Sequence, residues 1–271
     1  MTRVPSYQYV VPMELGLEGR TVVVTGASKG IGLAIAEAFV GEGATVVAGA
    51  RHSSDELEKL VATGRAKVVE VDLGTADGPA QLVAAADAPV DILVNNVGFA
   101  KTRLGGFLDV TEEEWQQSVN LNLFAAIRAA RAVLPGMIER GQGVIVNVSS
   151  VNAKLADPLV IDYSASKAAL SNFAKSLSKE VGGHGIRIND VCPGPVRTDL
   201  WLGAGGVAQS VGAKAGLTPD EVAAGAAADA ATGRFTLPSE VADLVLFLAS
   251  DRAANITGAE FTIDGGLIQT V

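Results

Sequence analysis

Residues 21–32 read Thr21-Val22-Val23-Val24-Thr25-Gly26-Ala27-Ser28-Lys29-Gly30-Ile31-Gly32. Five β-branched residues in succession favour an extended strand. Three glycines spaced Gly-x-x-x-Gly-x-Gly follow at once, and Ile31, Ile35, Ala38 and Phe39 then recur at helical intervals. A strand that turns through such a loop into a helix brings backbone N–H groups and the positive end of the helix dipole to one point, a geometry suited to a pyrophosphate. The spacing is not the Gly-x-Gly-x-x-Gly fingerprint of dinucleotide sites. Taken alone, a glycine-rich turn with no ligand explains it equally well.

Outward from this loop, β-branched runs predict strands at 21–25, 45–50, 67–71, 91–95, 144–148, 186–191 and 260–263. Several are apolar at consecutive positions, as strands covered by helices on both faces require. Helical spacing appears at 115–134, 163–181 and 241–248. Alternation of this kind, without repeats or a Pro/Ser-rich linker, predicts one doubly wound α/β domain. It would hold a mostly parallel sheet of about seven strands over residues 19–271, after an extension at 1–18 in which Met13 offers an alternative start. Residues 200–236 are rich in Ala and Gly and lack strand character. So long an interruption reads as a substrate lid.

The chain has 271 residues, 48% hydrophobic and 19% charged, enough apolar material for a large core. A net charge of -9 argues against nucleic acid and anionic membrane surfaces as partners and favours small molecules. The first eighteen residues lack the apolar run of a signal peptide, and no uncharged apolar span reaches membrane length. Cys192 is the only cysteine and forbids an intrachain disulfide; a zinc site could add only His52 and His184, both distant in sequence. No metal is expected, and a reducing, cytoplasmic compartment is favoured.

Thr-Gly-x-x-x-Gly-x-Gly at 25–32, followed by Asn95-Asn96-Val97-Gly98, Ser150, Tyr163-x-x-x-Lys167 and Pro193-Gly194, resembles the short-chain dehydrogenase/reductase superfamily over roughly residues 19–267. Val97 replaces the alanine of the family pattern. The resemblance implies a Rossmann-type fold and hydride transfer between a nicotinamide cofactor and a carbonyl or alcohol. For the cofactor it implies contacts from Gly26, Ser28, Lys29, Gly30, Ile31 and Gly32 in the first loop, and from Asp72 and Leu73 at the adenine. Asn95 would both brace the central strands and serve the cofactor, the two roles not being separable, Gly98 would approach the adenosine ribose, and Pro193, Gly194, Val196 and Thr198 would cover the nicotinamide. Ala50 stands where NAD-using members carry an acid, and Arg51 follows it. With Lys29, Arg51 could reach a 2′-phosphate, which points to NADP(H).

Tyr163 and Lys167 are four residues apart and share a helix face. An adjacent ammonium favours a phenolate, and that would draw Tyr163 down from its ordinary value of about 10 towards working pH. By resemblance, Lys167 also meets the nicotinamide ribose, Ser150 holds the substrate oxygen, and Asn122 positions a water that relays protons to Lys167. Asn120 is a near neighbour with the same chemistry; the family spacing from Trp115 favours Asn122. Val151, Asn152, Leu155, Pro158 and Ile161 are expected to wall the substrate pocket, with Leu200, Trp201 and Leu202 from the lid.

The substrate is read only as a carbonyl of hydrophobic character. The chain is similar to 3-oxoacyl-acyl-carrier-protein reductases, whose acidic partner would need a basic patch, for which Arg103, Arg128, Arg131 and Arg140 are candidates. A non-catalytic, NADP-sensing relative would lack Tyr or Lys, and this chain keeps both. Ala125, Ala126, Ala129, Ala130 and Ala132, with Ala165, Ala168, Ala169 and Ala174, suggest close helix packing between subunits, and family analogy suggests a homotetramer.

Overall fold

In the computed structural model, which describes residues 14–270, the β-branched runs pair as seven strands. They are β1 (Thr21–Thr25), β2 (Thr45–Ala50), β3 (Ala66–Glu70), β4 (Ile92–Asn95), β5 (Gly143–Val148), β6 (Ile186–Pro193) and β7 (Glu260–Ile263). All pairings are parallel, in the order β3-β2-β1-β4-β5-β6-β7. Strand order reverses between β1 and β4, and in open α/β sheets ligands bind in the crevice beyond the carboxyl ends of the strands at such a point. The expected start Met13 and most of the expected extension lie outside the described residues.

Helices α1 (Gly30–Gly41), α2 (Asp55–Val61), α3 (Gly78–Ala84), α4 (Glu112–Val119), α5 (Ala125–Arg140) and α6 (Ile161–Val181) follow the first five strands. The segment expected to be a lid holds α7 (Asp199–Leu202), α8 (Val207–Ala215) and α9 (Pro219–Ala228), and α10 (Pro238–Ala249) precedes the last strand. The sheet divides the core in two. Ile35 and Phe39 of α1 and Val241, Val245 and Leu248 of α10 bury one face. Leu82 of α3, Val133 and Met137 of α5 and Val181 of α6 bury the other. At about 25 cal/mol per Å2 of apolar surface removed from water, these two layers are the main favourable contribution to folding. They also account for the unbroken burial of β1 and β4.

The single helix expected at 115–134 is two helices joined by a π-helical turn, Asn120–Phe124. Residues 112–140 thus run as one path, long and apolar enough by composition to cross a bilayer. Ala129, Ala130, Val133 and Met137 are nevertheless buried against the sheet, so this is a core helix. The same fact corrects one expectation about assembly: Ala125, Ala126, Ala129 and Ala130 turn inward and are not available to another subunit. Ala165, Ala168 and Ala169 of α6 are exposed, whereas Ala174 is buried.

Candidate active site

The loop after β1 is tight for two identifiable reasons. Gly30 has φ +58°, and a Cβ at Gly32 would collide with the Gly26 carbonyl, so a side chain at either position would force the strand and helix apart. Asn96 fastens this turn to the neighbouring strand end: its Nδ2 donates to the carbonyls of Thr25 and Gly26 at 2.9 Å, and its own N–H donates to the Thr25 hydroxyl. Lys29 is the N-cap of α1 and offers no side-chain acceptor to the first turn, which also carries no acid. That leaves the positive end of a twelve-residue helix facing the cleft.

The cleft measures about 1250 Å3 and runs along the carboxyl ends of the strands. Gly26, Ser28, Lys29, Gly30, Ile31, Gly32, Arg51, Asp72, Leu73 and Gly98 line it, together with Ser150, Tyr163, Lys167, Pro193, Gly194, Val196 and Thr198. Nearly every position expected to hold the cofactor or do the chemistry is thus in one groove. Two are not. Asn95 is buried inside the sheet, donating from Nδ2 to Asn147 Oδ1 at 2.9 Å; Asn96, its neighbour, faces the cleft instead. The doubled asparagine was the available signal, and strand alternation decides which of the pair turns outward.

Asn122 is likewise buried. Its Nδ2 donates to the carbonyls of Phe99 (2.7 Å) and Ser118 (2.9 Å), and its Oδ1 accepts from the Phe99 N–H at 2.9 Å. Both amide protons are committed, so the side chain braces the Gly98–Phe99 loop and has no donor left for the water expected there. Its environment separates it from Asn120, which turns away to the Gly74 carbonyl and Arg128.

Ser150 follows β5 in extended conformation and caps a short turn, its hydroxyl accepting from the Asn152 N–H at 3.1 Å. Lys167 is 3% exposed, and its Nζ donates to the Val148 carbonyl at 2.7 Å and lies 5.7 Å from the Tyr163 ring centre. Burial lowers the Lys167 ammonium to about 8, opposed first by the charge of Asp190. Burial raises Tyr163 above its ordinary value, and the Ser150 hydroxyl beside it acts the other way. The downward shift expected from Lys167 is therefore outweighed: the ammonium sits over the ring face, bonded to a backbone carbonyl. Burial also pushes the Cys192 thiol up to about 12, which makes it an inert core residue.

The substrate side departs from expectation by register. Asp157, Leu159 and Val160 line the cleft where Val151, Asn152, Leu155, Pro158 and Ile161 were expected, because the chain makes a 3-10 turn at Pro158–Val160 before α6. From the lid, Leu200 and Trp201 face the cleft and Leu202 does not. The Trp201 ring is held edge-on to Phe235 at 5.3 Å. The proposed basic patch is dispersed. Arg103 is 6% exposed and forks onto Asp162 at 2.5 and 3.2 Å, with Glu114 at 2.7 Å, while Arg140 is tied to the Val90 carbonyl.

A family model described as enoyl-(acyl carrier protein) reductase matches residues 26–268. The oxidoreductase UcpA of Salmonella typhimurium is 38% identical over 260 residues, 92% of this chain and 95% of the relative. The 3-oxoacyl-[acyl-carrier-protein] reductase FabG of Vibrio harveyi is 34% identical, covering 93% and 99%. Among solved structures, L-sorbose reductase from Gluconobacter frateurii, complexed with NADPH and L-sorbose, superposes with a TM-score of 0.86 at 34% identity over 96% of this chain and 100% of that one. With its seven-stranded parallel sheet, its glycine loop and its Tyr-x-x-x-Lys helix, this chain belongs to the short-chain dehydrogenase/reductase superfamily of oxidoreductases.

Proposed function

We propose that the protein moves hydride between NADP(H) and a small carbonyl or alcohol, with Tyr163 as the proton donor and acceptor. The observation that carries this reading is that Tyr163, Ser150 and Lys167 open onto the same cleft as the glycine loop and the start of α1. The bound nicotinamide would supply the hydride. For reduction, the carbonyl carbon takes that hydride and the carbonyl oxygen takes the Tyr163 proton, giving the alcohol. Ser150 holds the oxygen, Lys167 sets the charge beneath the phenol, and Asn122 braces the loop on which Gly98 stands. The remaining lining residues named above hold the cofactor, and Asn95 serves the sheet.

The cleft suits the 2′-phosphate form. Ala50 gives the end of β2 no carboxylate, and Arg51 and Lys29 are exposed on the cleft wall. Lys29 pairs with Asp199 at 3.4 Å, but both side chains are more than two-thirds exposed, so the pair is weak and a phosphate can displace it. The sorbose reductase described above binds NADPH, in line with this choice.

Phe99, Leu159, Val160, Trp201, Val211 and Val222 line the cleft, which favours a carbonyl with an apolar body. Residues 200–236 act as the lid. The likeness to FabG supports a 3-oxoacyl thioester as the second reading, although the dispersed arginines give an acidic carrier no concentrated patch. The chain works as a cytoplasmic homotetramer, and a clean monomer in sedimentation at micromolar concentration would remove that claim.

The test is oxidation of NADPH and NADH across ketones, quinones and 3-oxoacyl thioesters, with Tyr163→Phe in parallel. Loss of turnover by about 100- to 10,000-fold in the mutant, the usual size of an acid–base contribution, supports the reading. Cofactor binding without turnover on any substrate would favour the NADP-sensing alternative.

A further inference from the structure

Strands covered by helices on both faces are expected to be apolar, yet one row across the sheet is polar. Asn95 of β4, Asn147 of β5, Asp190 of β6 and Glu260 of β7 stand in register, and the first three are each at most 4% exposed. They lie on the face covered by α5 and α6, since Leu93, Ile145 and Ile188, two residues before them, belong to that core layer. Asn95 donates to Asn147 at 2.9 Å, and Asn147 donates to Asp190 Oδ1 at 2.8 Å. Asp190 Oδ2 has no hydrogen-bond partner. Among the described residues no Lys, Arg or His nitrogen lies within 4.0 Å of the Asp190 carboxyl.

A buried carboxyl without an ion partner weakens a fold, so packing does not account for it. Its position does. The amide dipoles of Asn95 and Asn147 both point their donors towards Asp190, an orientation that favours the charged form and strengthens along the chain of bonds. One residue along β5 from Asn147, the Val148 carbonyl holds Lys167 Nζ at 2.7 Å. Ser171, one helical turn after Lys167 on the same face of α6, bonds to Ser149 at 3.1 Å, and the Ser149 N–H donates to the carbonyl of Val191, next to Asp190, at 2.8 Å.

We propose that Asp190 is a positioning residue for the Tyr163–Lys167 pair: a buried carboxylate on the strand beside the one whose Val148 carbonyl holds Lys167, aimed by the Asn95–Asn147 ladder, that keeps Lys167 in its ammonium form. This rests on the reaction proposed above. The charged and titratable neighbours support it. From α6, burial lowers Lys167 to about 8, and Asp190 is the first influence opposing that fall. Asp190 is raised to about 6 by burial, against which Asn147, Ser171 and Lys167 act, while Glu260 of β7 adds to the rise. Cys192, on the same strand, is protonated at working pH. Lys154 is occupied by Glu260 at 2.7 Å. Between about pH 6 and about pH 8, then, Asp190 is an anion and Lys167 a cation.

The test is Asp190→Asn, whose amide oxygen can still accept from Asn147. In protein without cofactor, carrying 13C- and 15N-labelled lysine with the Lys167 signal assigned through Lys167→Arg, the Lys167 midpoint should fall by about one pH unit. The alkaline limb of kcat/KM should move down by the same amount. Glu260→Gln, which removes the half-exposed end of the row, should move the midpoint much less. An unchanged Lys167 midpoint in Asp190→Asn, or an equal shift in Glu260→Gln, overturns the proposal. A shifted midpoint in a protein that reduces no carbonyl would leave the charge pairing standing and overturn the proposed reaction instead.

Discussion

One residue before Tyr163, Asp162 is gripped by both arms of the Arg103 guanidinium at 2.5 and 3.2 Å. Four residues after it, Lys167 and the Asp190 carboxyl below it have no ion partner within 4.0 Å. Both sites are buried and both bear on α6, but they are built to opposite ends. Hydrogen bonding to Asp162 drives the Arg103 guanidinium above its already high value, so Arg103 stays charged at any working pH. It ties the segment after Gly98 to the start of α6, and the Arg103 N–H adds a bond to the Leu159 carbonyl at 2.7 Å. Lys167 and Asp190, lacking partners, are brought to about 8 and about 6. Saturated buried charge makes a joint, and unsaturated buried charge makes a group that can exchange protons near neutrality.

The sharpest way to break this contrast is to cut the joint. Arg103→Ala leaves Asp162, 1% exposed, as a buried charge without a partner, a change that destabilises proteins by about 3–5 kcal/mol. Urea denaturation should show a loss of that size. Replacing both ends together, Arg103→Met with Asp162→Leu, should recover most of it, because no lone charge remains. A single mutant that unfolds at the wild-type urea midpoint would refute the structural reading of this pair.

Asp190→Asn should act in the other direction. The folded-state value, about 6 against an ordinary 3.8, is raised, so the stability Asp190 contributes is fully present below about pH 4 and is lost as pH rises through 6. The loss approaches about 3 kcal/mol, at about 1.4 kcal/mol per unit. The variant should therefore match the wild type near pH 4 and exceed it above pH 7, while its catalytic profile worsens. A stability gain coupled to a functional loss marks a residue kept for activity. A variant less stable than wild type at pH 8 would place Asp190 with the joints.

Much of this site was legible beforehand, and the unread parts share a cause. The ends of β1, β2 and β7 agree with the predicted strands to the residue, most plainly in β1, whose run of Val and Thr stops at Gly26. The short helices α2 and α3, seven residues each, complete too few turns for a periodicity to register. In the lid, α9 carries a usable signal that went unread: Thr218, Pro219 and Glu221 form a capping box with proline in the first turn. The π turn that holds Asn122 has no signature in residue type. The row Asn95–Asn147–Asp190 was visible as three polar letters inside apolar strands, but its meaning needs the register, and register is a property of pairs of strands.

A charge that is exposed until a ligand covers it should behave differently again. Lys29 and Arg51 lie on the cleft wall in contact with water, so Lys29→Ala with Arg51→Ala should leave thermal stability unchanged. The same variant should lower kcat/KM for NADPH by roughly tenfold or more, with little effect on NADH, since hydrogen bonds to charged groups are worth about 1.5–3 kcal/mol. Equal losses with both cofactors would mean that these cations do not meet the 2′-phosphate.

The smallest effect is the most exacting check on the comparison. Lys101 and Arg103 each contact Glu114 Oε1 at 2.7 Å, so distance cannot distinguish them. Their side chains are 58% and 4% exposed, and that difference should decide everything. Glu114 is held down to about 2, first by the Lys101 hydrogen bond and the Thr111 N–H. Water and salt nevertheless screen an exposed ammonium, and ordering its long side chain takes back most of the gain. Lys101→Met should leave the melting temperature at neutral pH nearly where it was, whereas Arg103→Ala lowers it steeply. If the two substitutions were equally damaging, then contact geometry and not burial would set the strength of these ion pairs, and the distinction drawn here between the joint and the proton-exchanging pair would lose its physical basis.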